Sequence, residues 1–270
     1  MPVAQKLFCV EMPPFKELRD KLQFRIKNRV HACALKALNL THSLPSGATV
    51  RVENYADWTI YNDIFVDGEY DPAISFALAR AKKHSNSLAI LDLGANVGFF
   101  SLRVGELLFR EKMQECKTEL ILVEGSPAVF NKLNERLSGQ PTLEGRYRAL
   151  NGLVGQRTGT GTIYEFSYHG LISTVPRRLA KPERVDFVDL DRLCEAVPRL
   201  DLIKCDIEGA EEIFIPNYPE LLRKTDAIVI EFHHVGIKYD ECLRCLDEAG
   251  LTKRQVLVDK KIVTTELFMR

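Results

Sequence analysis

Ile90-Leu91-Asp92-Leu93-Gly94-Ala95-Asn96-Val97-Gly98-Phe99-Phe100 decides how the rest of the chain is read. An apolar strand runs into a tight turn and then into the opening of a helix, the context in which open α/β sheets bind nucleotide-like ligands. Gly94 has no Cβ, so the backbone can turn sharply while a ligand approaches to contact distance. Gly98 lies at the helix entrance, where free N–H groups favour a carboxylate or phosphate. One strand later, Leu122-Val123-Glu124-Gly125-Ser126-Pro127 puts an acidic residue at the next carboxyl edge, where a carboxylate can accept both hydroxyl hydrogens of a ribose. A dinucleotide site would want G-x-G-x-x-G, but Asn96 holds the middle glycine position, where a pyrophosphate needs bare backbone. Asp92 is ill-suited to two phosphates and well suited to the ammonium or sulfonium of S-adenosylmethionine. The turn and its acidic partner together point to methyl-donor binding, ahead of a dinucleotide site or a turn that merely packs helix on sheet.

Outward from this segment, short apolar runs alternate with helical patterns. Ser87–Leu93, Glu119–Val123, Arg146–Leu150, Gly161–Phe166, Leu200–Ile207 and Asp226–Phe232 read as strands. Helices are expected from Pro72 to Lys83, Gly98 to Arg110, Pro127 to Leu137, from Glu211 onward, and from Asp240 to Ala249. Gln255–Asp259 and Ile262–Leu267 read as a closing antiparallel pair. Such strand–helix units imply a mainly parallel sheet with helices on both faces. Upstream, Leu18, Leu22, Ile26, Val30, Cys33, Leu35 and Leu38 recur at helical intervals, so one or two amphipathic helices are expected from Phe15 to Leu40. Ala48–Val52 and Trp58–Val66 alternate and are rich in Val, Ile and Tyr, which predicts a β-hairpin element over 48–68 with Asp67-Gly68 as a turn. The glycine cluster of residues 155–161 precedes an alternating stretch, so it reads as a β-turn and not as a phosphate loop.

A second chemical signal is Leu202-Ile203-Lys204-Cys205-Asp206-Ile207-Glu208-Gly209-Ala210-Glu211. A central parallel strand should be apolar on both faces, yet Lys204 and Asp206 share one. Burying a lone charge is expensive, so the two must pair or face a polar cavity. Asp206 and Glu208 fall just beyond the strand's carboxyl end, where open sheets bind ligands. Ile230-Glu231-Phe232-His233-His234 again ends in polar groups at that edge, and an imidazole there could take a proton from an acceptor hydroxyl. A structural ion pair, a helix-dipole role for Glu211 and a surface role for the histidines are the plainer alternatives.

With these motifs in view, the chain resembles the FkbM-type methyltransferase family over roughly Trp58 to Val235. The resemblance is carried by Leu91-Asp92-Leu93-Gly94-Ala95-Asn96-Val97-Gly98, Val123-Glu124-Gly125-Ser126-Pro127, Asp189-Leu190-Asp191, the stretch from Asp201 to Glu211, and Ile230-Glu231-Phe232-His233. It implies a Rossmann-like class I methyltransferase fold, α/β, with a mainly parallel seven-stranded sheet, that methylates oxygen on a sugar, glycolipid or small metabolite. Residues 1–47 would then be an N-terminal helical extension and 48–270 the methyltransferase domain, its core at 87–270. Carried over by position, Asp92, Gly94, Ala95, Asn96 and Gly98, with Phe99 after them, would cradle the methionine part of S-adenosylmethionine. Glu124, with Gly125 and Ser126, would hold the ribose, and Asn151 and Gly152 would border the adenine. Asp206 would lie near sulfonium and acceptor. In the mechanism this implies, Asp206 or His233 takes the acceptor proton while Lys204 orients Asp206, with Glu208 completing the catalytic group. A divalent ion on Asp206, Glu208 and Glu231 is the rival mechanism, and no resident metal is expected.

Composition narrows the partners. Lys plus Arg and Asp plus Glu each total 37, so the formal net charge is zero and nothing draws the chain at long range to a polyanion. No nucleic-acid partner is expected; the acceptor is expected to be a small molecule or glycan. No apolar run reaches the roughly 20 residues of a membrane span, and the N-terminal residues lack a signal-peptide pattern. The seven cysteines have no framework spacing and read as reduced thiols, so a cytoplasmic location is expected. Cys242-x-x-Cys245 lies within an expected helix and reads as packing. Methylation of protein or RNA, or donor binding without turnover, are the alternative functions.

Overall fold

The computed structural model describes residues 40–83, 86–165, 172–173, 181–234 and 236–270. The expected N-terminal helices, except Leu40, and Phe166 at the end of an expected strand lie outside the described residues.

Strands β1 (Leu40–Ser43) and β2 (Thr49–Val52) form an antiparallel pair, followed by helix α1 (Tyr55–Tyr61), a π-helical turn (Asn62–Val66) and α2 (Asp71–Lys83). Then β3 (Ser87–Leu93), α3 (Phe99–Arg110), β4 (Lys117–Glu124), α4 (Pro127–Leu137) and β5 (Tyr147–Asn151) alternate. Strands β6 (Thr160–Glu165), β7 (Ile172–Ser173) and β8 (Lys181–Asp186) come next, with a short α5 (Leu190–Leu193). The chain continues through β9 (Leu202–Cys205), α6 (Glu211–Asn217), α7 (Pro219–Arg223), β10 (Ala227–His233) and α8 (Tyr239–Glu248). It closes with β11 (Lys253–Asp259) and β12 (Val263–Met269).

The central sheet has seven strands in the order β11-β12-β10-β9-β3-β4-β5, and within it only β12 runs against its neighbours. This is a Rossmann-like arrangement, the mainly parallel seven-stranded sheet that was expected. Its middle strands are mostly apolar because both faces are covered: Ile90, Leu120, Leu122, Leu202 and Val229 pack with α2 and α3 residues in one core. Leu91, Ile121, Val123, Ile203 and Ile228 pack with Phe214, Leu221 and Leu246 in the other. Each such side chain contributes roughly 1.5–3 kcal/mol by leaving water. The order also creates a crevice. After β3 the chain goes outward to β4 and β5, then returns to the opposite side of β3 as β9, so connections diverge at the carboxyl end of β3.

Two expectations need correcting. Trp58–Val66 is not a strand; it is helical, because Asn54 caps α1 by accepting from Asp57 N and the aromatics recur at helical spacing. Trp58 stacks on Tyr61 and Tyr61 on Phe65, an arrangement that β-rich composition disguised. The real hairpin is β1–β2, turned at Pro45-Ser46-Gly47, so it straddles the boundary expected at residue 47. The strand expected at Gly161–Phe166 is β6, Thr160–Glu165, but it lies in a separate three-stranded antiparallel sheet of order β7-β6-β8. Its partner Lys181–Asp186, rich in charge, carried no readable strand signal. Cys242 is buried in α8 and both it and Cys245 are free thiols, as packing required. Among the described residues no helix is long and apolar enough to cross a membrane.

Candidate functional site

The carboxyl ends of β3, β4, β9 and β10 bring the two sequence signals together. Gly94 N and Ala95 N both donate to Val123 O, and Asp206 N donates to Leu93 O, so the turn after β3 is clamped between its neighbours. Gly94 sits at φ +76°, and a Cβ there would stand 1.7 Å from Asp206 O. Gly98, at φ +87°, opens α3 and lies against Leu133 and Leu137 of α4. Asn96 itself adopts φ +48°, which an asparagine tolerates better than most residues.

Glu124 closes the turn from the β4 side. Its Oε2 accepts from Asn96 N at 2.8 Å and its Oε1 from Ser126 N at 2.8 Å. Each oxygen keeps a lone pair. Burial raises its carboxyl above the usual range, while the two N–H donors pull the other way. Ser126 then caps α4 through its hydroxyl to Val129 N, with Pro127 in the first turn. Asn151 donates its side-chain amide to Glu124 O and Gly125 O, which props the same corner. Gly152 is buried against Val188 beside it. Phe99 is turned into the core against Phe65, under the Arg136 guanidinium, so its side chain serves packing and only its backbone faces the turn.

Lys204 is the junction. Its Nζ donates to Gly94 O at 2.6 Å and lies 3.4 Å from Asp92 Oδ1 and 3.6 Å from Asp206 Oδ2. The ammonium therefore ties the glycine turn to both carboxylates, and these carboxylates hold it charged despite full burial. Asp92 is wholly buried, and neither of its oxygens has a hydrogen bond among the described residues. Burial raises its carboxyl, an effect Lys204 partly offsets.

His233, at the end of β10, sits among carboxylates. Its Nδ1 is 3.5 Å from Glu211 Oε1, and its Nε2 is 3.4 Å from Glu208 Oε2 and 3.7 Å from Glu231 Oε1. Glu211 does more than favour a helix dipole: its Oε1 also accepts from Ile207 N and Gly209 N, folding the loop after β9 around the histidine. Contact with Glu211 first, then the charges of Glu208 and Glu231, hold the imidazole's titration at about 9. Burial first, then Asp206, pushes Glu231 up to about 8. Both groups thus bind protons more tightly in the folded chain than unfolded, so stability falls as pH rises through these values. In chelator and without donor, the melting temperature is expected to drop by several degrees between pH 6.5 and 9.5. Glu231→Gln should flatten that slope; an unchanged slope would show that the pair does not govern it.

Sequence reasoning missed the third wall. Glu69 and Tyr70, just before α2, lie within electrostatic reach of Asp206, and Tyr70 also of Asp92 and Glu231. Glu69 accepts from the Thr265 hydroxyl of β12. Their proximity arises from α2 lying against β3 and β10, contacts that no local spacing announces.

The family model described as "Methyltransferase FkbM domain" matches residues 92–251, well over half of the chain. No curated protein matches. Among solved structures, the chain is similar to "Crystal structure of Methyltransferase FkbM from Methylobacillus flagellatus KT" at 15% identity and TM-score 0.47, covering 91% of this chain and 60% of that one. It is similar to a METTL16 methyltransferase domain at 11% identity and TM-score 0.46, covering 96% and 93%. The corresponding figures for Aeropyrum pernix fibrillarin with bound S-adenosyl-L-methionine are 12%, 0.42, 73% and 76%.

Proposed function

Since the chain belongs to the FkbM family of S-adenosylmethionine-dependent methyltransferases, we propose that it moves the donor methyl to a hydroxyl oxygen of a sugar, glycolipid or small metabolite. The observation that carries this reading is the Lys204 junction, which ties the glycine turn to Asp206 at one sheet edge. Asp206 remains 28% exposed there, so an acceptor can reach it.

The donor fits the residues present. Asp92 is a fully buried carboxyl paired with Lys204 at 3.4 Å, and the donor's ammonium and sulfonium are cations that would further favour its charged form. The spare lone pairs of Glu124 suit two ribose hydroxyls, and Asn151 and Gly152 border the adenine. When bound, the donor supplies a methyl group already activated by its positive sulfur. What remains for the chain is alignment and the removal of one proton. Asp206, held by Lys204, takes the hydroxyl proton as the carbon–sulfur bond breaks and the carbon–oxygen bond forms. With no cation bound beside it, His233 keeps its own proton at neutral pH, so it serves as a positive charge and donor at this edge, not as the base.

The surroundings favour an uncharged hydroxylated acceptor over RNA. Glu69, Glu208 and Glu231 lie within electrostatic reach of Asp206, and a carboxyl-lined edge offers a phosphate backbone no run of cations to pair with. Glu124→Gln should weaken S-adenosylhomocysteine binding by about 10- to 100-fold, the loss of one charged acceptor, as read by calorimetry. Unchanged affinity would place the ribose elsewhere. The acceptor class is tested by incubating the protein with labelled donor and a panel of glycans, lipids and hydroxylated metabolites, with mass detection of the added methyl. Methylated RNA or protein from the same incubation, with unmodified glycans and metabolites, would overturn it.

A further inference from the structure

Three side chains from different segments converge at this edge: Asp206 after β9, Glu208 in the following loop and His233 at the end of β10. One ligand atom from each lies within 4.8 Å of the others. Cis ligands on an octahedral ion with bonds near 2.1 Å stand roughly 3 Å apart, so small rotations of half-exposed side chains bring this set onto one centre. Glu231 Oε1, 3.7 Å from His233 Nε2, lies close behind.

A separate feature points the same way. Glu211 is wholly buried, its Oε1 is 3.5 Å from His233 Nδ1, and its Oε2 has no hydrogen bond among the described residues. A buried carboxylate beside one ring nitrogen is the arrangement that orients metal-bound histidines. Nδ1 has no hydrogen bond among the described residues, so closing the 3.5 Å gap to Glu211 Oε1 would fix the proton on Nδ1 and leave the Nε2 lone pair for an ion. Here that Nε2 faces Glu208 and Glu231. Charge agrees. Asp92, Asp206, Glu208, Glu211 and Glu231 meet only Lys204 and His233 as ion-pair partners among the described residues. The donor's cations lie on the Asp92 side of this cluster and leave the Glu208–Glu231 side with His233 as its ion-pair partner.

We propose that Asp206, Glu208 and His233 form a divalent-cation site of the manganese or magnesium type, with Glu211 as the carboxylate that positions His233. Two carboxylates and one imidazole favour such ions over thiophilic ones. The ion takes the place of the His233 proton. Its role, though not its existence, rests on the methyl-transfer reading. Held beside the acceptor, it would bind the hydroxyl oxygen and lower its pKa. Asp206 is then a ligand, and the released proton leaves to solvent at this partly exposed edge.

The test titrates Mn²⁺ into chelator-treated, donor-free protein, followed by calorimetry and by loss of the free-ion paramagnetic signal. One saturable site is expected, weakened at least about 10-fold in Glu208→Gln and in His233→Ala. Glu208 is half-exposed, so its amide variant should fold normally, which circular dichroism checks. Glu211→Gln should weaken Mn²⁺ by about 10- to 100-fold without touching the ion, the range expected when an outer partner is lost. No saturable binding up to millimolar Mn²⁺, or equal binding in Glu208→Gln, overturns the site. S-adenosylhomocysteine affinity, measured on the same samples, separates the two readings. Donor binding without Mn²⁺ sinks only the metal site, and Mn²⁺ binding without donor binding sinks only the methyltransferase reading.

Discussion

Asp206→Asn is expected to lower methyl-transfer turnover by about 10²- to 10⁴-fold, the range for loss of a positioned proton acceptor. The substitution keeps the shape of the side chain and its place 3.6 Å from Lys204, so the fold should survive. Donor affinity should change by no more than a few-fold, because the contacts assigned to the donor lie on Asp92, the glycine turn and Glu124. The same variant loses turnover if Asp206 instead ligates an ion, but then added Mn²⁺ at high concentration should restore part of it. Turnover and S-adenosylhomocysteine affinity, measured side by side, give the answer. Normal turnover in the variant would remove Asp206 from the chemistry altogether.

The parts of the fold legible in the sequence were those where local pattern and tertiary environment agree. Pro127–Leu137 was readable to the residue because Ser126 caps it, Pro127 suits its first turn and its buried residues Leu133 and Leu137 repeat at helical spacing. The buried runs of β3, β4, β9 and β10 were readable because strands covered on both faces are apolar along most of their length. Trp58–Val66 failed because aromatic and β-branched residues favour strands in general, while three stacked rings on one helical face won in this context. Lys181–Asp186 failed for the opposite reason: a charged segment becomes a strand by pairing with Thr160–Glu165, which no property of its own residues reveals.

The candidate site divides along the same line. Asp92, Gly94, Glu124, Lys204 and Asp206 lie on or beside neighbouring strand ends, so the strand order alone places them together. Lys204 in particular violates the apolar rule of its strand, and its partners Asp92 and Gly94 explain the violation. Glu69 and Tyr70 were illegible because they reach the site only through the packing of α2 on the sheet. Glu211 was visible as a residue and misjudged as to role: its first-turn position fits the helix dipole, but its carboxylate points back to the β9 loop and His233.

Gly94→Ala should be the most damaging single change at this edge. The new methyl would stand 1.7 Å from the carbonyl oxygen of Asp206, and that neighbour is backbone in the adjoining strand end, which cannot swing aside as a side chain can. A left-handed conformation at φ +76° costs an alanine roughly 1–2 kcal/mol, and forcing the two segments apart adds roughly 1–3 kcal/mol. At about 2–4 °C per kcal/mol for a chain of this size, the melting temperature should fall by about 5–15 °C. Function should suffer more than stability. Relieving the clash moves Gly94 O off Lys204 and Asp206 away from the turn, so S-adenosylhomocysteine binding should weaken by more than about 100-fold even where the variant stays folded. Gly139→Ala provides the contrast: it too has a positive φ, +72°, but nothing lies within 4 Å of its added methyl. It should lose about 1 kcal/mol to strain alone and bind the donor product normally. Parent-like binding in Gly94→Ala would mean that the close approach of the Gly94 turn to the Asp206 backbone does not shape the donor site, and the roles given to Lys204 and Asp206 would fall with it.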